Sequence, residues 1–184
     1  MAAEVITVEP RSYVNVEFDA DVLAGLAAEA LARVPEVDPG VGVAVNIDEN
    51  AATTTFRITS LDPLIFDVDS GAVENLKDPR RVGNEHAAVT FTRLFLEVAD
   101  RRAAWFGAPE LDADLSQAHA TAWDVNLHGR VAGRGLRQHQ PRYRYNFRNR
   151  HGFSDRADEV FEQLWSAGEI PWSRIVELSD SAQV

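Results

Sequence analysis

Arginine side chains that cluster late in the chain are the clearest candidates for chemistry. Between Asp124 and Asp155 there is no acidic residue, although the whole protein has a formal net charge of −11. Guanidinium groups pair bidentately with phosphates and carboxylates, so the cluster predicts contact with an anion, an acidic partner or acidic surface of the same protein. The interval contains seven arginines, Arg130, Arg134, Arg137, Arg142, Arg144, Arg148 and Arg150.

Within this cluster, arginines alternate with aromatic residues from residue 142 to residue 148. Alternation with a period of two is typical of a β-strand, so the segment predicts a strand. Tyr143, Tyr145 and Phe147 would then share the face that packs on the core, and the arginines would meet solvent or carboxylates. Arginines and aromatic rings also suit single-stranded nucleic acid, but a net charge of −11 repels a polyanion, so nucleic acid is the less favoured partner.

A compact anion site is predicted where this strand would meet the next helix, at residues 150–155. Backbone N–H groups at a helix start attract anions, and Arg150 and His151 add positive charge beside them. A Ser154 or Asp155 helix cap after a turn at Gly152 explains the same residues without a ligand, and we favour that interpretation. The candidate anion-binding residues are Arg144, Arg148, Arg150 and His151. The candidate interaction segment comprises Arg130, Arg134, Arg137, Arg142, Tyr143 and Tyr145.

Asp124 and His128 are the weak catalytic candidates. They lie four residues apart, and a carboxylate at that spacing on a helix can orient an imidazole as a general base. An ordinary pair on a helix surface is the alternative. No metal is predicted, because paired cysteines, an H-E-x-x-H motif and an EF-hand loop are all absent from the sequence. No cofactor is predicted either, because there is no glycine-rich phosphate loop that follows a strand.

The elements that must position these residues favour an α+β fold with an N-terminal antiparallel sheet and one early helix. Strands are expected at Tyr13–Phe18, Val41–Ile47, Thr53–Thr59 and Leu64–Val68, the last three as a meander. A helix from Val22 to Val34, capped by Asp19 or Asp21, follows the first strand. Residues 71–83 are expected to form a loop or a short helical turn.

The second half is expected to begin with a long helical hairpin. Apolar spacing predicts one helix from Asn84 to about Phe106 and a second from Pro109 to Leu136. The arginine and aromatic strand follows. A last helix, with Ala157 to Trp165 on its apolar face, is closed by Gly168.

Composition favours a single α+β domain over residues 1–184, because 45% hydrophobic content at this length supports one sizeable core. The alternative is a β-rich acidic half at 1–83 and a helical half with the basic segment at 84–184. The absence of cysteine excludes disulfides and fits a reducing compartment. The first ten residues lack a positively charged leader, and no apolar run could span a bilayer, so we expect a cytoplasmic protein without a membrane partner.

These features favour a non-enzymatic binding or assembly protein. Its arginine-rich segment, residues 130–150, would dock acidic surface within the monomer or across a homodimer, so self-association is the expected interaction. One alternative is a hydrolase or transferase that acts on a small anionic substrate bearing a phosphate or carboxylate. A second alternative is single-stranded nucleic-acid binding.

Overall fold

The computed structural model describes residues 6–38, 40–51, 53–111 and 113–182. It confirms a mixed α+β fold with an early helix, a four-stranded sheet and later helices. The chain divides into two compact units, one that ends at Ala99 and one that begins at Asp100. Across the described ranges, every helix is too short or too polar to cross a bilayer.

The first unit contains six strands and the first two helices. They are β1 (Ile6–Glu9), α1 (Ala20–Ala32), β2 (Val43–Asp48), β3 (Phe56–Leu61), β4 (Leu64–Asp69), β5 (Glu74–Asn75), β6 (Asp78–Val82) and α2 (Asn84–Arg102), whose last turn lies beyond the division. The expected cap of α1 is confirmed, because the Asp19 carboxylate accepts hydrogen bonds from the backbone N–H groups of Asp21 and Val22. Residues 71–83 were expected to form a loop or a short helical turn. A 3-10 turn at Ser70–Ala72 overlaps their start, and the β5–β6 hairpin follows it.

The main sheet is mixed, with the strand order β1-β2-β4-β3, where we expected an antiparallel meander. β1 pairs parallel to β2, and β2 pairs parallel to β4; β3 and β4 pair antiparallel. The first pairing is parallel because α1 connects β1 to β2 as a crossover helix. In the second, β4 inserts between β2 and β3, an order that the alternation within each strand does not encode. A bulge between Ile58 and Ser60 interrupts the ladder of edge strand β3.

The prediction of a strand at Tyr13–Phe18 is wrong. Only an isolated bridge between Glu17 and Arg81 forms there, and the first strand is β1. Val14 is 84% exposed whereas Val16 is buried, so the alternating apolar residues do not share one buried face. The N–H groups of Val14 and Asn15 donate to the Glu49 carboxylate instead of joining a ladder.

The main sheet has one apolar face and one polar face, because its strands alternate buried and more exposed residues. Helices cover the apolar face: α1 contacts β1, and Phe66 of β4 meets Phe95 of α2 with ring centroids 5.3 Å apart. We call the other face the open sheet face. Its members are exposed or half-buried, and they are Thr7, Glu9, Ala44, Asn46, Asp48, Arg57, Ser60, Ile65, Asp67 and Asp69.

The second unit is helical. Besides the last turn of α2, it contains α3 (Gln117–Gly133), α4 (Gln140–His151), α5 (Asp155–Ser166) and α6 (Trp172–Ala182). The predicted Ser154 cap of α5 is confirmed, since its hydroxyl accepts from the backbone N–H of Ala157. The sequence did not predict α6.

The second helix of the expected hairpin begins at Gln117, so the start at Pro109 is wrong. Ser116 caps it by accepting from the N–H of His119, while the Pro109 carbonyl accepts a hydrogen bond from Arg101. The helix ends at Gly133, three residues before the expected Leu136.

The prediction of a strand over the alternating arginines and aromatic residues at 142–148 is also wrong, since residues 140–151 form helix α4. A proline in the first turn suits a helix start, and Gly152 ends the helix with φ at +99°. Tyr143, Phe147 and His151 recur every four residues and supply a helical core stripe, which the alternation over seven residues concealed. Tyr145, expected on the same face as Tyr143, points to solvent and is 58% exposed.

Candidate functional site

Helix α4 presents two chemically different sides. Its inner side, with Phe147 and His151 buried and Tyr143 half-buried, packs among the neighbouring helices of the second unit. We call its solvent side, together with the adjacent Phe153, the α4 outer face. This face contains no acidic residue, and its exposed members are Arg142, Tyr145, Asn146, Asn149, Arg150 and Phe153.

The arginines at the border of the inner side are neutralised by α5. Arg144 pairs with Glu162, and its guanidinium lies 5.0 Å from the centroid of the Phe161 ring. Arg148 binds both carboxylate oxygens of Asp158, with 2.7 Å between Nε and Oδ1. Hydrogen bonding to Arg148 lowers the pKa of the Asp158 carboxyl, so this pair persists at neutral pH.

Arg130 belongs to the interior of the second unit. Its Nη1 lies 2.7 Å and 2.8 Å from the two carboxylate oxygens of Asp100, and both side chains are almost fully buried. Trp123 Nε1 donates to the same carboxylate at 3.0 Å. Burial raises the pKa of Asp100, while the charge of Arg130 opposes that shift. Arg130 therefore holds the fold together and is not presented to a partner.

Three of the remaining arginines in the cluster face solvent. Within the described ranges, Arg137, Arg142 and Arg150 are exposed and make no ion pair or side-chain hydrogen bond. Arg134 is half-buried and is not one of these unpartnered arginines. The cluster thus divides into arginines held by carboxylates of the same unit and arginines left for other contacts.

Two exposed aromatic rings lie beside the unpaired arginines of α4. Phe153 is 66% exposed, and its ring centroid lies 6.0 Å from that of Tyr145. The Arg148 guanidinium lies 6.0 Å from the Phe153 ring centroid. Exposed aromatic side chains next to arginine are typical of protein interfaces, where both residue types are enriched.

The catalytic candidates Asp124 and His128 do come together, with 3.5 Å between Oδ1 and Nε2. His128 is nonetheless buried, its Nδ1 lies 3.0 Å from Gln138 Oε1, and Tyr143 stacks on the ring at a centroid distance of 4.1 Å. This packing orients the imidazole, and both of its ring nitrogens face side chains of the same unit. The pair fits a structural role better than proton transfer.

The four anion-binding candidates do not converge on one site. Arg144 and Arg148 bind α5, and Arg150 faces solvent. His151 is buried, and its Nε2 lies 2.8 Å from Ser179 Oγ on α6. Burial lowers the pKa of His151.

The contact between Ser179 and His151 has the distance of a nucleophile and its base, but both side chains are buried. The other ring nitrogen of His151 faces the Phe147 carbonyl instead of an orienting carboxylate. Elsewhere, no group of three or more potential ligand side chains is arranged for a metal ion within the described ranges.

Comparison with protein-family models, curated proteins and solved structures finds no match for this chain. The α4 outer face includes three residues that sequence reasoning did not select, Asn146, Asn149 and Phe153. A helical wheel drawn for residues 140–151 places both asparagines beside Arg142, so the missing signal was the helical period.

Proposed function

We propose that this chain is a non-enzymatic binding or assembly protein, acting in the cytoplasm, whose α4 outer face docks on acidic protein surface. The observation that supports this function is the division of the arginines. Arg144 and Arg148 are neutralised within the second unit, whereas Arg142 and Arg150 pair with no carboxylate among the described residues and lie beside two exposed aromatic rings.

The chemistry of this face favours recognition of carboxylates within a partly apolar surface. Arginine is more weakly hydrated than lysine, so it loses less on leaving water and can pair bidentately with a carboxylate. Tyr145 and Phe153 supply apolar area, and Asn146 and Asn149 can donate or accept at the border of a contact.

A protein partner suits this face better than nucleic acid does. Single-stranded nucleic acid is held by a continuous track of positive charge. In the part of the chain that the structure describes, α4 offers two unpaired arginines, and the whole chain has a net charge of −11. Two arginines and two rings match a small patch on a folded partner more closely.

Chemical-shift mapping with a short acidic peptide of alternating Glu and Ala tests the function. In the 15N-labelled wild-type protein, we expect salt-sensitive shifts at the backbone amides of Arg142, Tyr145, Asn149 and Gly152. The double variant Arg142→Glu/Arg150→Glu should bind at least about tenfold more weakly, because two attractive contacts become repulsive.

The control variant Arg11→Glu/Arg174→Glu makes the same change in net charge at exposed arginines outside the α4 outer face. It should keep the wild-type shifts at α4. Peptide binding that is equal in both double variants would refute the function, and tighter binding of a single-stranded oligouridylate than of the peptide would replace it with nucleic-acid binding.

A further inference from the structure

The first unit carries a surface that complements the α4 outer face. On the open sheet face, four carboxylates, from Glu9, Asp48, Asp67 and Asp69, accompany a single cation, Arg57. The first unit as a whole contains seven basic and seventeen acidic residues, a net charge of −10. The second unit, with eleven basic and twelve acidic residues, has a net charge of −1.

Two of these carboxylates, Asp48 and Asp69, accept hydrogen bonds from Asn50 and Thr53 in the loop between β2 and β3, and none of the four is buried. Asp67 accepts from Asn46 Nδ2 at 2.9 Å and lies 3.5 Å from the 70% exposed side chain of Arg57. Glu9 makes no ion pair or side-chain hydrogen bond among the described residues. Exposed ion pairs of this kind are weak, so the negative potential of the face persists around them.

The centre of the open sheet face is apolar. Ala44 and Ile65 are neighbours in the register of β2 and β4, and both are only half-buried. An apolar centre with an acidic border is the counterpart of a helix face that carries aromatic rings and arginines.

The spacing of the arginines on α4 also matches the spacing of the carboxylates on the open sheet face. Arg142 and Arg150 are eight residues apart on α4, which is ~12 Å along the axis and ~80° around it. Glu9 and Asp67 are both in register with Asn46 and so lie two strand spacings apart, ~10 Å. A helix laid across the strands can therefore place one arginine near each carboxylate.

We propose that the α4 outer face of one copy of this chain docks on the open sheet face of a second copy. This contact uses the α4 outer face and therefore rests on the binding function proposed above. Pairing of two α4 outer faces is disfavoured, because it would oppose arginines with arginines and bring no carboxylate.

Sedimentation velocity with a charge-swapped pair of variants tests the contact. Arg142→Glu/Arg150→Glu makes the helix face negative, and Glu9→Lys/Asp67→Lys makes the sheet face positive. We expect the wild type to associate less at high salt, and each variant alone should raise its self-dissociation constant at least about tenfold. An equimolar mixture of the two variants should associate, because the reversed helix fits the reversed sheet face.

The matched control is Glu29→Lys/Glu85→Lys, which reverses two exposed carboxylates on α1 and α2, the helices that cover the other face of the sheet, and should associate like the wild type. Circular dichroism establishes that each variant is folded; if Asp67→Lys unfolds the chain, Glu9→Lys alone should still weaken association. A wild type that stays monomeric, or a folded mixture that does not associate, would overturn self-docking. Loss of self-association in the α4 variant without loss of self-association in the sheet variant would also overturn self-docking. In each case the peptide experiment judges the binding function separately.

Discussion

Replacing Gly129 by alanine provides a severe test of how the second unit is packed. Gly129 lies on α3 where the α5 backbone comes closest, and an added Cβ would be 2.0 Å from the Trp165 carbonyl oxygen and 2.8 Å from its carbonyl carbon. Ordinary contacts are longer by about 1.2 Å or more, so α3 and α5 would have to separate by that amount. The same separation would disturb α4, which packs on both helices.

The energetic cost follows from what the separation breaks. Overpacking in a filled interior costs about 1–3 kcal/mol. One turn earlier on α3, the buried Asn126 donates to the carbonyls of Leu164 at 3.1 Å and Gly168 at 2.9 Å, bonds that would stretch beyond hydrogen-bonding range. Leaving this amide without its hydrogen bonds adds about 1–3 kcal/mol to the loss of stability. The better helix propensity of alanine offsets about 0.5–1 kcal/mol of that loss. We therefore expect Gly129→Ala to lower the free energy of unfolding by about 3 kcal/mol.

Urea denaturation followed by circular dichroism measures this change, and Gly133→Ala is the matched control. Gly133 ends the same helix, and a Cβ there meets no atom within 4 Å. Its replacement should raise the free energy of unfolding by about 0.4–1 kcal/mol, because alanine restricts the unfolded chain. If the two variants were equally stable, the close approach of α3 and α5 would be refuted.

Three further predictions concern charged and titratable groups of the second unit. Arg130→Met should cost about 3–5 kcal/mol in urea denaturation, because Asp100 becomes an unpaired buried charge, and Asp100→Asn/Arg130→Met should recover most of that loss; a cost below about 1 kcal/mol would contradict the buried pair. Burial lowers the pKa of folded His151 below its ordinary 6.5, so the unfolded chain binds a proton first and the free energy of unfolding should fall below about pH 6.5, by at most about 1.4 kcal/mol per pH unit. His151→Gln should flatten that part of the pH profile, and an unchanged slope would contradict the assignment. Arg148→Gln should raise the pKa of Asp158 toward its ordinary 3.8, as measured by NMR titration, whereas an unchanged pKa would show that the pair does not form in solution.

Local signals in the sequence predicted the elements whose determinants are local. The α1 and α5 helices were expected from their apolar spacing and from the caps at Asp19 and Ser154, and the structure has both. The order of the main sheet could not be predicted in this way, because strand pairing joins residues far apart in sequence. The parallel pairing of β2 and β4, for example, depends on where β3 lies.

The charge pattern of the sequence located the candidate site but did not predict which of its arginines face solvent. The absence of acids between Asp124 and Asp155 identified the arginine cluster, whereas the helical phase of α4 decides that Arg144 meets α5 and Arg142 meets solvent. The partner of Arg130 is Asp100, thirty residues earlier in the chain, and no local pattern links the two.

The bulge in edge strand β3 limits how copies of this chain can aggregate. A regular outer strand offers unpaired N–H and C=O groups that template another strand, the route by which sheets grow into fibrils. The interrupted ladder between Ile58 and Ser60, next to the charged side chain of Arg57, makes such templating unfavourable. The β3 edge of the sheet should therefore resist templating by another strand, whereas β1 at the opposite edge has no such interruption.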